Sequence, residues 1–246
     1  MRLRIIRGTP SPFRATDAVA SFRALVFAAL IAGIAAGGAT SVVQALRLWP
    51  LIAAAEELED KAPAAGQGHD ASHAHSAPGW SPQGPLRPML TVVFNMAAGV
   101  GFALMLNAVA RLRGVRTGVG LTVRDGLAWG AVGFAAFALA PALGLPPALP
   151  GMAEGGLLAR QAWWLGTAVA TLCGIAMVAW VGAPWRWGGI LLLVLPHVVG
   201  APAMGGGAVP GEMAAAFVAG SLAASAVFWV VLGGVSGWAQ ARMARG

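Results

Sequence analysis

Tyrosine is absent from the 246 residues, there is one cysteine, and a single lysine stands against fifteen arginines. Charged residues make up only 10% of the chain, whereas a soluble domain carries about 25%. Charge this sparse excludes a disordered segment and an ordinary soluble enzyme. The lone Cys173 excludes an internal disulfide, and with it a disulfide scaffold. A GxxxxGK[ST] phosphate loop is missing, so the chain cannot draw on ATP by that route. The long apolar windows hold no carboxylate, and the buried acid relay of proton-coupled pumps is therefore missing too. No nucleophile, base and orienting group converge in the sequence, which argues against an enzyme and offers no tightly bound cofactor a site.

What is present is apolar. Hydrophobic residues reach 58%, glycine numbers 35, and the mean hydropathy is +0.73. A membrane-spanning helix needs about 20 apolar residues at 1.5 Å each to cross ~30 Å of hydrocarbon. Charge-free windows of that kind are Ala24–Leu46, Met89–Ala110, Gly126–Leu145, Gln161–Trp185, Trp187–Gly211 and Met213–Ala241. The fifth is strongly apolar only over Trp187–Pro202 before a glycine-rich stretch, so five spans are the alternative to six. The net charge of +7 forms no basic stripe, and nucleic acid is not expected as a partner. The cations sit at the ends of the apolar runs. Six spans put twelve on one side and four on the other, and five spans weaken this to ten against six. The positive-inside rule thus favours an all-α, polytopic transmembrane helix bundle of six spans with both termini cytoplasmic.

This divides the chain into a basic cytoplasmic tail (1–23), one transmembrane bundle (24–241) with an outer loop over 50–88, and a short C-terminal tail (242–246). The first run, at 23 residues, exceeds a signal-peptide core of about 7–15 and reads as an uncleaved helix. Small residues recur at four-residue spacing in Gly33/Gly37, Gly126/Gly130 and Gly233/Gly237, the pattern that lets helix backbones approach closely in lipid. Gln44, Asn95, Asn107, Thr167 and Thr171 are intramembrane polar groups of the kind that bind helices together.

Three of the four histidines fall within one seven-residue stretch of the outer loop, as His69, His73 and His75 beside Asp70. Neutral imidazole suits Co, Ni, Cu and Zn, and carboxylate adds charge. The stretch reads as a metal-capturing tether, or else as a solvated linker whose histidines only titrate. The fourth, His197, lies about ten residues or ~15 Å above Trp187, near mid-bilayer. An ionisable group at that depth marks a pathway or a site, unless it merely bonds a neighbouring helix. Pro196 and Pro141 each remove a helical hydrogen bond, a break tolerated where helices line a cavity. Between the third and fourth windows, Met152 and Glu154 can line an entrance, or Glu154 can pair with Arg160 at the surface.

Three phrases belong together here: Ala140-Pro-Ala-Leu-Gly-Leu-Pro-Pro-Ala-Leu-Pro-Gly151, Ala159-Arg-Gln-Ala-Trp-Trp-Leu165 and Leu195-Pro-His197-Val-Val-Gly-Ala-Pro202. With the histidine-bearing loop, they resemble the probable cobalt transporter subunit CbtA family from the first span to the last. The resemblance implies cobalt uptake across the bacterial inner membrane, often beside cobalamin biosynthesis, and about five spans. It also implies a small single-span, histidine-rich CbtB-like partner. The ion is then cargo, Co2+ or its neighbours Ni2+ and Zn2+, which overlapping ligand preferences do not separate. In the transport reading, the outer acids and His69, His73 and His75 gather the metal. Glu154 and Met152 flank the mouth, His197 binds at mid-depth, and the membrane potential drives entry. The competing class is a non-transporting assembly or metal-chaperone subunit that hands metal to a partner.

Overall fold

The structure, a computed structural model, describes residues 15–61, 86–117, 121–150, 152, 156–203 and 209–243. Among these there are helices and no strand: α1 (Ala15–Arg47), α2 (Trp49–Lys61), α3 (Leu86–Thr117), α4 (Val123–Phe134), α5 (Ala140–Gly144), α6 (Leu157–Trp180), α7 (Arg186–Val199) and α8 (Gly211–Met243). Where hydrocarbon replaces water, each backbone N–H and C=O must be satisfied within the chain, and a helix does this by itself.

Local chemistry sets the boundaries. Thr122 caps α4 through a reciprocal box: its hydroxyl accepts from the Asp125 N–H, and the Asp125 carboxylate accepts from the Thr122 N–H, each at 3.2 Å. Between α4 and α5 one wide turn intervenes, Ala135–Leu139, in which the Ala140 N–H reaches the Ala135 carbonyl five residues back. Pro141 follows at once and has no N–H to give, so the widened turn absorbs the missing bond. Gly200, at φ +83°, ends α7 in a conformation that side chains rarely adopt.

The outer loop is more ordered at its start than its composition suggests. The helix breaks only at Leu48, whose N–H bonds Gln44, and it resumes as α2 with Pro50 in its first turn, where proline is tolerated. Ala55 is fully buried. Leu51, Ile52 and Ala55 repeat at helical spacing, which gives α2 an apolar stripe to pack with.

Side-chain and backbone contacts fix the direction of every helix. Gly33 and Gly37 of α1 touch Val100 and Asn95–Met96 of α3, so these run antiparallel. Gly126 and Gly130 of α4 touch Gly233 and Trp229 of α8, again antiparallel. Trp129 meets Trp180, and Phe137 meets Trp164, which reverses α6 relative to α4. Gly174 against Gly189 and Trp163 against His197 reverse α7 relative to α6. Asn107 bonds Gln240 while Phe102 touches Phe228, making α3 and α8 parallel. The chain therefore passes six times between the two ends of the bundle. We call the end where α1 begins and α8 finishes basal, and the other end distal.

Among the described residues, five helical segments are long and apolar enough to cross a membrane: Phe22–Arg47, Leu86–Arg113, Val123–Gly144, Leu157–Trp180 and Gly211–Met243. The sixth passage rests on α7, whose 14 residues rise about 21 Å and fall short of a ~30 Å core. Length alone thus yields the alternative count of five, and the helix directions yield six passages with α1 beginning and α8 ending at one face. Single cysteines introduced at Arg23 and Met243 in a Cys173→Ala background should label from the same side of sealed vesicles. A cysteine at Lys61 should label only from the opposite side.

Backbone-to-backbone seams hold the frame. A Cβ added at Gly126 would overlap the Gly233 carbonyl oxygen, and one at Gly33 would overlap the α3 backbone at Gly99–Val100. Such close approach gains dispersion contacts that lipid cannot replace. Gly126→Ala should destabilise the detergent-solubilised protein by about 1–3 kcal/mol, the range for overpacking. Gly166→Ala, where nothing lies within 4 Å, should be neutral or gain up to ~1 kcal/mol in helix propensity. Reversible unfolding of the two variants reads the difference.

Candidate functional site

The distal half of the bundle holds an open cavity of about 590 Å3 between α1, α2, α3 and α8. Its floor and walls follow from helix position. Gln44 and Thr40 descend α1; Phe217, Ser221, Ser225 and Phe228 descend α8; Thr91 and Arg87 stand on α3, and Glu56 on α2. The polar side chains are hydroxyls and one amide, with one carboxylate and one guanidinium among them. The Arg87 Nη2 donates to the Glu56 Oε1 at 2.7 Å across 31 residues of sequence, tying α2 to the start of α3. Both partners are partly exposed, at 58% and 38%, so the pair belongs to the mouth and adds little stability by itself.

Beside the cavity, the Asn95 side-chain amide donates to the Ser41 hydroxyl at 3.0 Å and to the Gln44 carbonyl oxygen at 2.7 Å. Ser41 in turn donates to the Gly37 carbonyl at 2.8 Å. These bonds orient Gln44 on the cavity wall. Thr40, 6% exposed, lines the same cavity, and its hydroxyl finds no hydrogen-bond partner among the described residues. A smaller cavity of about 270 Å3 lies on the other flank of Ser221 and Ser225, reaching Arg160 and Pro141.

Below both, Phe102, Phe137, Phe228 and Trp229 form an aromatic cluster, with ring centroids 5.2–5.9 Å apart in each contacting pair. Phe228 lines the distal cavity, whereas Phe102, Phe137 and Trp229 line a basal cavity of about 420 Å3. The cluster therefore separates the two. The basal cavity is almost wholly apolar, with Arg113 and Asp125 its only charged residues.

His197 stands elsewhere. It is half-buried on α7, which packs chiefly on α6, and its ring lies 6.2 Å from that of Trp163, edge to face. It lines none of the three cavities. Trp163 packs against Gly144, and Trp164 meets Phe137. The Met152 thioether accepts from the Leu149 N–H at 3.4 Å and closes its own loop. His69, Asp70, His73, His75 and Glu154 lie outside the described residues. Among those described, no group of three His, Cys, Asp or Glu side chains is gathered for a metal ion.

Of the intramembrane polar residues, Gln44, Asn95 and Asn107 join helices: Asn95 links α3 to Gln44 of α1, and Gln240 donates to Asn107 at 2.6 Å. Thr171 instead donates to the Thr167 carbonyl at 2.8 Å within α6. Thr40, Ser221 and Ser225 escaped the sequence reading. Hydroxyls are common in membrane helices, and nothing in their spacing shows that α1 and α8 face one another.

These features define a polytopic helical membrane protein with a cavity that carries several polar side chains in one half of the bundle and an almost wholly apolar one in the other. Residues 22–241 match the family described as "Probable cobalt transporter subunit (CbtA)", and the chain belongs to that family. The description as a subunit implies further subunits and a metal ion as cargo. No curated protein and no solved structure matches the chain significantly.

Asn95→Leu removes both bonds from α3 to α1. Intramembrane hydrogen bonds average about 0.6 kcal/mol each, so a loss of about 1 kcal/mol is expected in reversible unfolding. The distal cavity should survive in outline, since the Gly33–Gly99 seam does not involve Asn95.

Proposed function

We propose that this chain is the membrane-embedded subunit of a bacterial inner-membrane uptake system for a divalent metal, cobalt in the first place. Its basal end faces the cytoplasm, where the positive-inside rule puts Arg111, Arg113, Arg124, Arg186 and Arg242. Metal is gathered at the periplasmic end by His69, Asp70, His73 and His75, with Met152 and Glu154 flanking the approach. It then passes through the bundle, and His197 offers an imidazole partway along the α6–α7 hairpin. A CbtB-like single-span subunit with a histidine-rich end completes the system.

The observation that carries this reading is the distal cavity with its several polar side chains, which lies at the same end as the helix leading into the histidine stretch. Family membership supplies the cargo. The driving force is the membrane potential: a divalent cation moving inward gains about 4.6 kcal/mol per 100 mV, twice the single-charge value. One observation favours the competing reading, a non-transporting metal-handing subunit. The aromatic cluster closes the passage between the distal and basal cavities, so transport requires those rings to part.

The deciding measurement is cobalt uptake into vesicles holding the chain with its partner subunits, under an imposed inside-negative potential. Accumulation that grows with the potential is expected, and none at any potential leaves the metal-handing reading. At low metal concentration, replacing His69, His73 and His75 together with alanine should slow uptake, as should His197→Ala. Unchanged uptake in His197→Ala would remove that residue from the path.

A further inference from the structure

We propose that the basal cavity is a groove for one anionic phospholipid, with an acyl chain seated between α3 and α6 and the headgroup held by Arg113 and Arg124. The proposal goes beyond the transport reading and holds whichever metal the chain handles.

Helix packing leaves this groove open. α3 packs chiefly on α1, α4 on α8, and α6 on α7, yet α3 and α6 both line the cavity. Met105 and Val109 of α3 and Trp180 of α6 stand on its lining and are exposed, so it opens sideways, toward lipid. Its volume of about 420 Å3 and its almost wholly apolar wall suit a flexible hydrocarbon, and an apolar cavity does not hold water.

Its length also matches a lipid tail. On α3 the lining runs from Arg113 to Phe102, about 17 Å of helix at 1.5 Å per residue. From Asp125 of α4 to Phe137 of the wide turn the rise is about 18 Å. One leaflet of a ~30 Å hydrocarbon core is about 15 Å deep. A tail entering at the basal mouth therefore ends against Phe102, Phe137 and Trp229, which close the groove.

Charge is confined to the mouth. Arg113 and Asp125 line it, and Arg124 and Arg113 both act on the Asp125 carboxylate. That carboxylate is already engaged, accepting from the Thr122 N–H and hydroxyl at the cap of α4. Two guanidiniums against one carboxylate leave a positive surplus, and basic pockets between membrane helices take anionic headgroups. The planar guanidinium also matches phosphate geometry. Trp129 and Trp180, with ring centroids 5.8 Å apart, share this lining. Trp180 ends α6 at the basal end, the level at which tryptophan meets headgroups.

A tail gains little by leaving bulk lipid, which is as apolar as leucine. Preference must then come from the headgroup. The test places the full chain in nanodiscs of phosphatidylglycerol and phosphatidylcholine, extracts it in mild detergent and counts retained lipid by native mass spectrometry. Wild type should retain phosphatidylglycerol in preference to phosphatidylcholine. Arg113→Gln and Arg124→Gln should each weaken that retention about fivefold, the scale of one arginine at a membrane surface. Arg113→Lys keeps the charge and should keep most of the binding. Ala176→Phe fills the groove without touching either arginine and should abolish retention; should it not fold, Ala179→Leu gives the same comparison. Arg186→Gln, also basal but off the lining, should change nothing.

Equal retention of the two lipids overturns the groove, as does an equal loss in Arg186→Gln and Arg113→Gln. Unchanged retention in the groove-filling variant overturns it as well. The lipid should persist when the chain is assembled with its partner subunits. Displacement there would overturn the lipid site in favour of a partner helix.

Discussion

Two seams where helices meet backbone to backbone set the geometry of this protein. Gly126 and Gly130 press α4 onto Gly233 and Trp229 of α8, and Gly33 presses α1 onto Gly99 and Val100 of α3. In lipid the hydrophobic effect does not drive helices together, and close packing takes its place. The α4–α8 seam lies near the basal end, where α4 begins and α8 finishes. Cavities flank this frame in both halves, the distal one beside α1 and α3 and the basal one beside α4 and α6.

The polar groups divide by their bonds. Asn95, Ser41 and Gln44 form a satisfied network that clasps α3 to α1, and Gln240 clasps α8 to Asn107. Intramembrane amides of this kind act as mortar because the alternative is an unpaired dipole in hydrocarbon. Thr40, Ser221 and Ser225 differ in that they border empty space. Between the cavities, four aromatic rings make a barrier whose strength comes from their large buried area and edge-to-face contacts.

Much of the architecture was legible in the linear chain because the bilayer imposes length and polarity rules on it. Five of the six apolar windows correspond to helices long enough to cross, and all three glycine pairs named from spacing alone are contact points in the structure. The fifth window was ambiguous for a physical reason: its helix stops at Gly200 after 14 residues, short of the ~30 Å hydrocarbon core. Of the candidate site, Gln44 and the outer acids were visible as polar groups in unusual places. Their joint role was not. His197 drew attention because an imidazole at mid-depth is costly, yet it lies against Trp163 at the periphery of the bundle and away from the polar cavity.

Composition and periodicity by themselves determined that the chain is a helical membrane protein, where its spans lie and which small residues touch, since each depends on local hydropathy and spacing. Only the tertiary structure decided which polar side chains share a cavity. Thr40 and Gln44, Glu56, Arg87, and Ser221 and Ser225 come from four helices more than 180 residues apart at the extremes. Their meeting depends on helix direction and rotation, set by backbone contacts that no single segment encodes. The same holds for the sixth passage. Arginine placement favoured it in the sequence, but a 14-residue apolar helix is too short by length, and the directions of its neighbours show that the chain returns through it.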